Sequence, residues 1–235
     1  AGMNRLAVAA GFGVQRITVS GKVHTTDAVI TAALGAGPDT MMLGFDTDAA
    51  KARLEAVPWI RHAQVMRLLP STLQVMVEER SPYAIWQSKG QTYVVDDEGV
   101  VLAPALRDAY PNLPFVVGEG AGKHAAELFG ELASHGELQR NLLAAIRVGD
   151  RRWTLKLISG LEIMLPDDNI AEALASLERL DRERGVLKRD IAAVDLRLLD
   201  RVTVRLRPNM APDAHEETPQ TEVPTASTET NKGKT

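Results

Sequence analysis

The stretch PWIRHAQVMRLLPSTLQVMVEER, residues 58–80, has the most regular pattern in the chain and decides the fold of its first part. Apolar and polar residues alternate on both sides of Leu69-Pro70-Ser71, which predicts two strands joined by a turn. The predicted inward residues are Ala63 and Val65 in the first strand and Leu73, Val75 and Val77 in the second. No residue here suits catalysis, so we expect the edges and surfaces of such strands to be functional.

The residues before this stretch predict a strand and two helices. Residues 14–20 alternate as a half-buried strand. Residues 24–35 read as a helix that Thr25 or Thr26 can cap and that Gly35 ends. Residues 46–58 read as a second helix, capped by Asp46 and stopped by Pro58. The predicted buried stripes are Ile30, Ala33 and Leu34 in the first helix and Ala50, Leu54 and Val57 in the second. The order strand, helix, helix, strand, strand predicts a small sheet covered by two helices.

A second domain is predicted from residue 81 to residue 207, because the pattern changes after Arg80. Its strand candidates are residues 83–87, 92–102, 151–166 and 192–206. Two of them contain hairpin turn signals, at Asp97-Glu98-Gly99 and at Ser159-Gly160. Two helices interrupt the strands, at residues 123–136, ending at Gly136, and at residues 167–185, ending at Gly185. Their predicted buried residues are Leu128, Phe129 and Leu132 in the first and Ile170, Ala173, Leu174 and Leu177 in the second. The fold class is therefore α+β, with a mostly antiparallel β domain and two packed helices.

Composition removes several classes of function. The net charge is −4, and residues 209–235 hold five acidic residues against two lysines, which leaves −1 on the rest. Such a chain lacks the basic field that a nucleic-acid binder needs. The absence of cysteine excludes thiolate catalysis, disulfides and cysteine-ligated zinc.

The motifs that resemble catalytic or ligand sites are better explained as structure. Residues 116–124, VVGEGAGKH, lack the glycine frame and the hydroxyl residue of a phosphate loop. The acidic run at residues 96–99 fits a turn better than a calcium loop. The five histidines show no metal-ligand spacing. Glu78 and Glu79 are neighbours on a strand and point apart, so with Arg80 they predict a solvated strand end or a salt bridge at the domain junction. We expect no enzyme activity, no cofactor and no metal.

The two ends of the chain differ in composition. Residues 4–14 are apolar and rich in small residues, which fits either the outer end of a truncated transmembrane helix or a frayed terminus. Residues 208–235 are dominated by Thr, Pro and Glu, which predicts a disordered tail.

Residues 57–86, 93–102 and 194–208 together resemble the extracytoplasmic part of the FtsQ/DivIB family of bacterial cell-division proteins. The residues that carry the resemblance are Pro58, Trp59, Ala63, Val65, Arg67, Pro70, Leu73, Glu79, Arg80, Pro82, Ala84, Trp86, Asp97, Gly99, Asp195, Leu196 and Arg197. They occur in the family's order. The resemblance implies a POTRA domain (β-α-α-β-β) at residues 14–80 and the family's β domain at residues 81–207.

Family resemblance also implies a location and partners. It implies a single-pass inner-membrane protein with its bulk in the periplasm, recruited to the division septum, where it binds the bitopic proteins FtsB and FtsL and other divisome components. Through them it would help to regulate septal peptidoglycan synthesis without enzyme activity of its own. It favours reading residues 1–13 as the remnant of, or linker from, a transmembrane helix absent from this chain.

The family's partner is understood to add a strand beside the last strand of the β domain. Residues 199–208, LDRVTVRLRP, suit that role because apolar and polar residues alternate in them just before the predicted tail. The predicted partner-binding residues are Arg197, Leu198, Arg201, Val202, Thr203, Val204, Arg205 and Leu206. Several relatives have aromatic anchors where Leu198 and Leu206 stand here, so no aromatic hot spot is carried over. A possible recruitment surface on the POTRA domain contains Arg61 and Arg67.

Two other functions remain open at this point. One is a POTRA module of outer-membrane assembly or secretion machinery, which would normally show repeated modules or a downstream barrel. The other is a periplasmic enzyme with an unadvertised site, which a cluster of strongly perturbed carboxylates and histidines in a deep pocket would favour.

Overall fold

The computed structural model describes residues 13–198 and 201–207 and contains two sheets. The first sheet has the strand order β1-β3-β2. Its strands are β1 (Arg16–Ser20), β2 (Ile60–Leu68) and β3 (Thr72–Glu79). β1 pairs with β3 in parallel, and β2 pairs with β3 in antiparallel orientation. The predicted β-α-α-β-β order is confirmed.

Two capped helices cover the first sheet. Helix α1 (Asp27–Leu34) begins after Thr26, whose side chain accepts a hydrogen bond from the Val29 N–H, and ends at Gly35, which has a φ of 65°. Helix α2 (Thr47–Glu55) begins after Asp46, whose Oδ1 accepts from the N–H groups of Asp48 and Ala49 at 3.1 and 2.9 Å. The core between helices and sheet contains Ile30, Leu34, Ala50, Leu54, Ala63, Leu73, Val75 and Val77.

The second sheet has nine strands among the described residues, in the order β12-β11-β10-β9-β8-β7-β4-β5-β6. The strands are β4 (Ala84–Ser88), β5 (Gln91–Val95), β6 (Val101–Pro104), β7 (Phe115–Val117), β8 (Leu142–Val148), β9 (Arg152–Leu157), β10 (Glu162–Met164), β11 (Ile191–Asp195) and β12 (Thr203–Leu206). Five neighbouring pairs are antiparallel, while β4 with β7, β7 with β8, and β10 with β11 are parallel. The mostly antiparallel domain is confirmed.

The helices of the second domain differ in one respect from the prediction. Helix α3 (Ala125–Leu132) is followed by a separate short helix, α4 (Gly136–Arg140), and α5 (Ile170–Arg184) ends at Gly185 with a φ of 61°. The prediction that Gly136 ends a helix is wrong, because the chain turns at residues 133–135, where the Ala133 and His135 N–H groups bond to Gly130 and Leu132. Single-turn 3-10 helices occur at Arg107–Ala109 and Val186–Lys188.

Two internal strands were missed by sequence analysis. β7 has only three residues, and β8 has the burial order half-buried, exposed, buried, buried, half-buried, half-buried, exposed, which has no clean period of two. Both lie inside the sheet between β4 and β9. β7 is too short to show a period, and Ala144 and Ala145 of β8 are buried at successive positions, so neither strand leaves an alternating signal.

Two apolar cores include residues of the nine-stranded sheet. The larger core joins α3 and α5 to the sheet through Leu128, Leu132, Leu174, Leu177, Leu155 and Ile163. A smaller one contains Ile85, Val94 and Leu102, and Trp59 of the first domain packs against it. Within residues 13–198 and 201–207, no helix is long and apolar enough to cross a membrane.

Candidate protein-binding edge

β12 is the terminal strand of the nine-stranded sheet. Its neighbour is β11, with which it pairs in antiparallel register, Val204 opposite Val194 and Thr203 opposite Asp195. All four residues of β12 are exposed. In an edge strand, alternate backbone N–H and C=O groups point away from the sheet and can pair with another chain.

The apolar residues of this segment share one side. Val202, Val204 and Leu206 leave 38%, 38% and 48% of their surface exposed, which is high for large aliphatic residues. All three line a groove of about 460 Å³. The other residues that line it are Leu180, Arg184, Val186, Arg189, Asp190 and Ile191. The edge is therefore bordered by a groove that is mostly aliphatic and also carries two arginines.

Arg205 of β12 and Arg207, which follows the strand, attach it to the sheet. An Arg205 Nη lies 3.8 Å from an Oε of Glu162 on β10. Arg207 pairs with Asp190 at 2.7 Å and donates a hydrogen bond to the Ser159 carbonyl at 2.8 Å. The strand is thus held at the sheet while its apolar side faces the groove.

The turn before β12 contains the remaining predicted residues. Arg197 donates to both carboxylate oxygens of Asp195 at distances of 2.5 to 3.0 Å, and this pairing lowers the pKa of Asp195. Leu198 is exposed, and its carbonyl accepts a hydrogen bond from the Arg201 N–H at 3.4 Å. Leu199 and Asp200 lie outside the described residues. All eight predicted partner-binding residues therefore lie on β12 or in the segment leading into it.

Sequence analysis missed the far wall of the groove. Leu180 and Arg184 come from the last turns of α5, and Val186 and Arg189 from the segment after it. Leu180 follows the predicted buried residue Leu177 by three positions, so it continues the same helical stripe. The helical spacing from Leu177 to Leu180 was the signal that could have identified this wall of the groove.

Arg61 and Arg67 lie near opposite ends of β2 and do not form one cluster. Arg61 pairs with two carboxylates of the second domain, Glu98 at 2.6 Å and Asp97 at 3.4 Å. Arg67 donates to the carbonyls of Leu43 and Phe45 at 3.3 and 3.2 Å. Arg61 therefore lies at the domain junction, and Arg67 at the opposite end of the domain.

The residues after β3 form the salt bridge expected at the domain junction. Arg80 Nη1 lies 2.6 Å from Asp96 Oδ2 and 2.6 Å from Glu98 Oε2. The Asp96 side chain is fully buried, and its other oxygen accepts from the N–H groups of Glu98 and Val100. Hydrogen bonds from Arg80 and then Arg61 lower the pKa of Glu98 to about 2.

Glu79 lies apart from this cluster. Its carboxylate accepts hydrogen bonds from the backbone N–H groups of His24 and Thr25, both at 2.7 Å. Four carboxylates near the junction, those of Glu79, Asp96, Asp97 and Glu98, are thus engaged by donors of the chain itself. Within the part of the chain that the structure describes, no group of three or more His, Asp or Glu residues could hold a metal ion.

Known proteins match both parts of this chain. Residues 12–80 match the sequence model of the FtsQ-type POTRA domain, and residues 84–197 match that of the C-terminal part of the cell division protein FtsQ/DivIB. Cell division protein FtsQ of Bradyrhizobium diazoefficiens is 39% identical over 88% of this chain and 61% of its own length. The FtsQ proteins of Rhizobium radiobacter and Caulobacter vibrioides are both 36% identical, over 78% and 90% of this chain and 88% and 70% of their own lengths.

The extent of these matches also matters for the site. The chain spans 61 to 64% of the length of the first three relatives. The match to the C-terminal part ends at residue 197, before β12 begins. The POTRA match covers the first sheet, and the C-terminal match covers most of the second. The chain therefore belongs to the FtsQ/DivIB family of cell division proteins.

Proposed function

We propose that this chain is a non-enzymatic scaffold of the division machinery that binds FtsB-type and FtsL-type partners by strand addition to β12. Through these partners it helps to regulate septal peptidoglycan synthesis. The observation that carries the proposal is the position of β12 at the end of the sheet with all four residues exposed. Family membership supports the division role.

Strand addition suits the chemistry of this edge. A guest strand would pair with the outward N–H and C=O groups of β12, which gives affinity that depends little on sequence. Alternate guest side chains would lie over the groove beside Val204 and Leu206, which selects aliphatic or aromatic residues. Arg184 and Arg189 favour a guest that also carries carboxylates.

Family membership supports the proposed location at the division septum. We place the chain in the inner membrane as a single-pass protein, with residues 14–80 and 81–207 as two periplasmic domains at the division septum. Residues 208–235 and 1–12 lie outside the described residues, so the predicted tail and the predicted membrane-proximal segment stay predictions. On the first domain, the surface near Arg67 is the better candidate for recruitment, because Arg61 is already paired with Glu98 and Asp97.

Proline substitutions at neighbouring positions of β12 test strand addition. N–H groups of successive residues point to opposite sides of a strand, so one of Thr203→Pro and Val204→Pro removes an outward donor and the other removes a bond to β11. The variant that loses the outward donor should remain folded and bind a purified FtsB-like periplasmic segment at least about tenfold more weakly.

The measurement is titration calorimetry, with circular dichroism and thermal unfolding as the check on folding. Val101→Pro on β6, the opposite edge of the same sheet, is the matched control and should leave binding unchanged. Unimpaired binding by both β12 variants, each shown to be folded, would refute strand addition.

A further inference from the structure

Three large apolar side chains are exposed at one end of the POTRA domain. Leu43, Leu68 and Leu69 leave 60%, 47% and 61% of their surface exposed. Leu68 ends β2, and Leu69 begins the turn to β3. We call these three residues the leucine tip.

Hydrogen bonds of Arg67 place Leu43 beside the other two leucines. The Arg67 guanidinium donates to the carbonyl oxygens of Leu43 and Phe45 at 3.3 and 3.2 Å. The loop before α2 is therefore attached to the end of β2 that leads into Leu68 and Leu69. Both acceptors are neutral carbonyls, so neither bond places a carboxylate against the Arg67 guanidinium.

The leucine tip lies where the described chain begins. The Gln15 and Arg16 N–H groups donate to the carbonyl of Ser71, in the same turn as Leu69, at 2.9 and 3.2 Å. The Val14 N–H donates to the carbonyl of Thr40, in the same loop as Leu43, at 3.0 Å. Both parts of the tip therefore adjoin residues 14–16.

The segment that precedes this point is itself apolar. Residues 1–12 contain Leu6, Ala7, Val8, Ala9, Ala10 and Phe12 and join the domain at Gly13. Twelve residues reach at most about 40 Å when fully extended and about 18 Å as a helix. Whatever surface this segment enters therefore lies within that distance of the leucine tip.

The charges around the tip are mixed. Arg16 and Arg67 are positive, and Asp39 and Asp46 in the adjoining loop are negative. A surface with balanced charges and exposed leucines gains more from burying aliphatic area than from attracting a strongly charged partner. A lipid headgroup region, with apolar chains beneath it, offers that burial at the place where an apolar segment leaves the domain.

We propose that the leucine tip inserts into the phospholipid surface next to residues 1–12 and thereby sets the orientation of the POTRA domain on the membrane. The proposal rests on the membrane location given under the proposed function. Three partly exposed leucines give weak binding alone, but attachment through a neighbouring apolar segment raises their effective concentration at the surface. The tip then acts as an orienting contact.

Vesicle binding of the whole 235-residue chain tests this inference. The probe is vesicles of phosphatidylethanolamine and phosphatidylglycerol, and the measurement is flotation. The combined variant Leu43→Ser, Leu68→Ser, Leu69→Ser should partition at least about tenfold less than the native chain. The matched control is Leu106→Ser, Val148→Ser, Ile158→Ser, which changes residues with 80%, 46% and 66% exposure in the second domain. All these chains keep residues 1–12, so only the tip differs.

A fluorescent label locates the contact. The chain has no cysteine, so Leu69→Cys and Ile158→Cys each provide a single attachment point for an environment-sensitive dye. Emission at position 69 should shift to the blue when vesicles are added, and emission at position 158 should not. Unchanged emission at position 69, or equal flotation of the tip variant and the native chain, would overturn the inference. Blue emission at position 69 before vesicles are added would also overturn it, because the tip would then be covered by residues 1–12 or a second copy.

The same variants separate this inference from the proposed function. The tip variant should still bind the FtsB-like segment with native affinity. The β12 proline variant that loses partner binding should still float with vesicles. Each proposal can therefore fail while the other stands.

Discussion

Glu79, the last residue of β3, has a carboxylate that is almost fully enclosed, with 5% of its side chain exposed. Burial by itself would raise its pKa, but hydrogen bonds from Thr25 and His24 outweigh burial and lower the pKa to about 2 from the ordinary 4.5. The charged form is thus favoured in the folded state. Its stabilisation is complete above pH 4.5 and is lost as the pH falls toward 2.

Glu79→Gln tests this stabilisation. We expect the free energy of unfolding at pH 7 to fall by about 2 kcal/mol, and its acid dependence between pH 5 and pH 2 to become shallower. Urea unfolding across this pH range measures both. Glu78→Gln is the control, since Glu78 is exposed on the same strand. Identical acid profiles for the two variants would show that Glu79 does not carry the effect.

Gly99 is required by both backbone conformation and space. Its φ is 79°, and a Cβ there would lie 2.5 Å from the Cα of Lys123. Gly90 has a similar φ of 77°, but no atom within 4 Å of a Cβ. We expect Gly99→Ala to lower the free energy of unfolding by about 3 kcal/mol and Gly90→Ala by about 1 kcal/mol. Thermal unfolding of the two variants measures the difference. Equal losses of free energy would show that the contact with Lys123 does not contribute.

At the scale of elements, the edge strands β2 and β12 differ in what lies beside them. β2 is terminal in the first sheet, but the N–H of Ala63 donates to the Glu55 carboxylate at 3.1 Å. Glu55 is the last residue of α2. A helix side chain thereby occupies an edge donor on β2, which hinders pairing with a foreign strand. β12 has a groove beside it instead.

Glu55→Ala should expose the edge of β2. We expect the Ala63 amide to exchange with solvent at least about tenfold faster, because a hydrogen bond to a charged acceptor is lost. Hydrogen exchange followed by NMR measures it. Glu55→Gln keeps an oxygen acceptor and should show a smaller change. Equal protection in the native protein and the alanine variant would mean that Glu55 does not guard this donor.

At the scale of the whole molecule, the two domains are joined by charge and by apolar packing. Arg80 follows β3 and reaches Asp96 and Glu98 in the turn between β5 and β6. The backbone N–H of Arg80 also donates to the Trp59 carbonyl at 2.8 Å. Trp59 in turn packs against the smaller core of the second sheet. The junction therefore couples the end of the first sheet to one hairpin of the second.

Arg80→Met should uncouple the domains. Removing the guanidinium leaves the buried Asp96 carboxylate without its cation, which costs about 3 kcal/mol or more. We expect calorimetry to show two separated unfolding transitions where the native protein shows a more cooperative one. Arg61→Met, which removes a more exposed partner of the same Glu98, should have a smaller effect. One unchanged transition in Arg80→Met would contradict this account.

Much of the fold was predictable because its signals are local. Thr26, Asp46 and Gly35 act at helix ends through their own neighbours in sequence, and the turns at Gly99 and Gly160 separate strands that pair directly. β7, β8 and the break before α4 were not predictable in this way. β7 has only three residues, and both of its partners, β4 and β8, lie far away in sequence. β8 pairs with the next strand, β9, but its residues do not alternate cleanly.

The candidate site likewise has features that local sequence predicted and features that depend on tertiary contacts. The alternation of residues 202–207 predicted a strand with one apolar side, but its place at the edge depends on the pairing of eight other strands. The groove needs α5 to pass beside β12, and Arg61 was placed on a free surface because its partners Asp97 and Glu98 lie in another domain.

The sequence alone determined most of the elements and their order, because period, capping and turn chemistry act over a few residues. Its matching residues also indicated the kinship. Tertiary structure decided which strand edge is unpaired among the described residues, which arginines are already paired and where exposed leucines gather. Those properties depend on contacts between residues far apart in the chain, whose pairing is set by packing and topology and not by any short pattern.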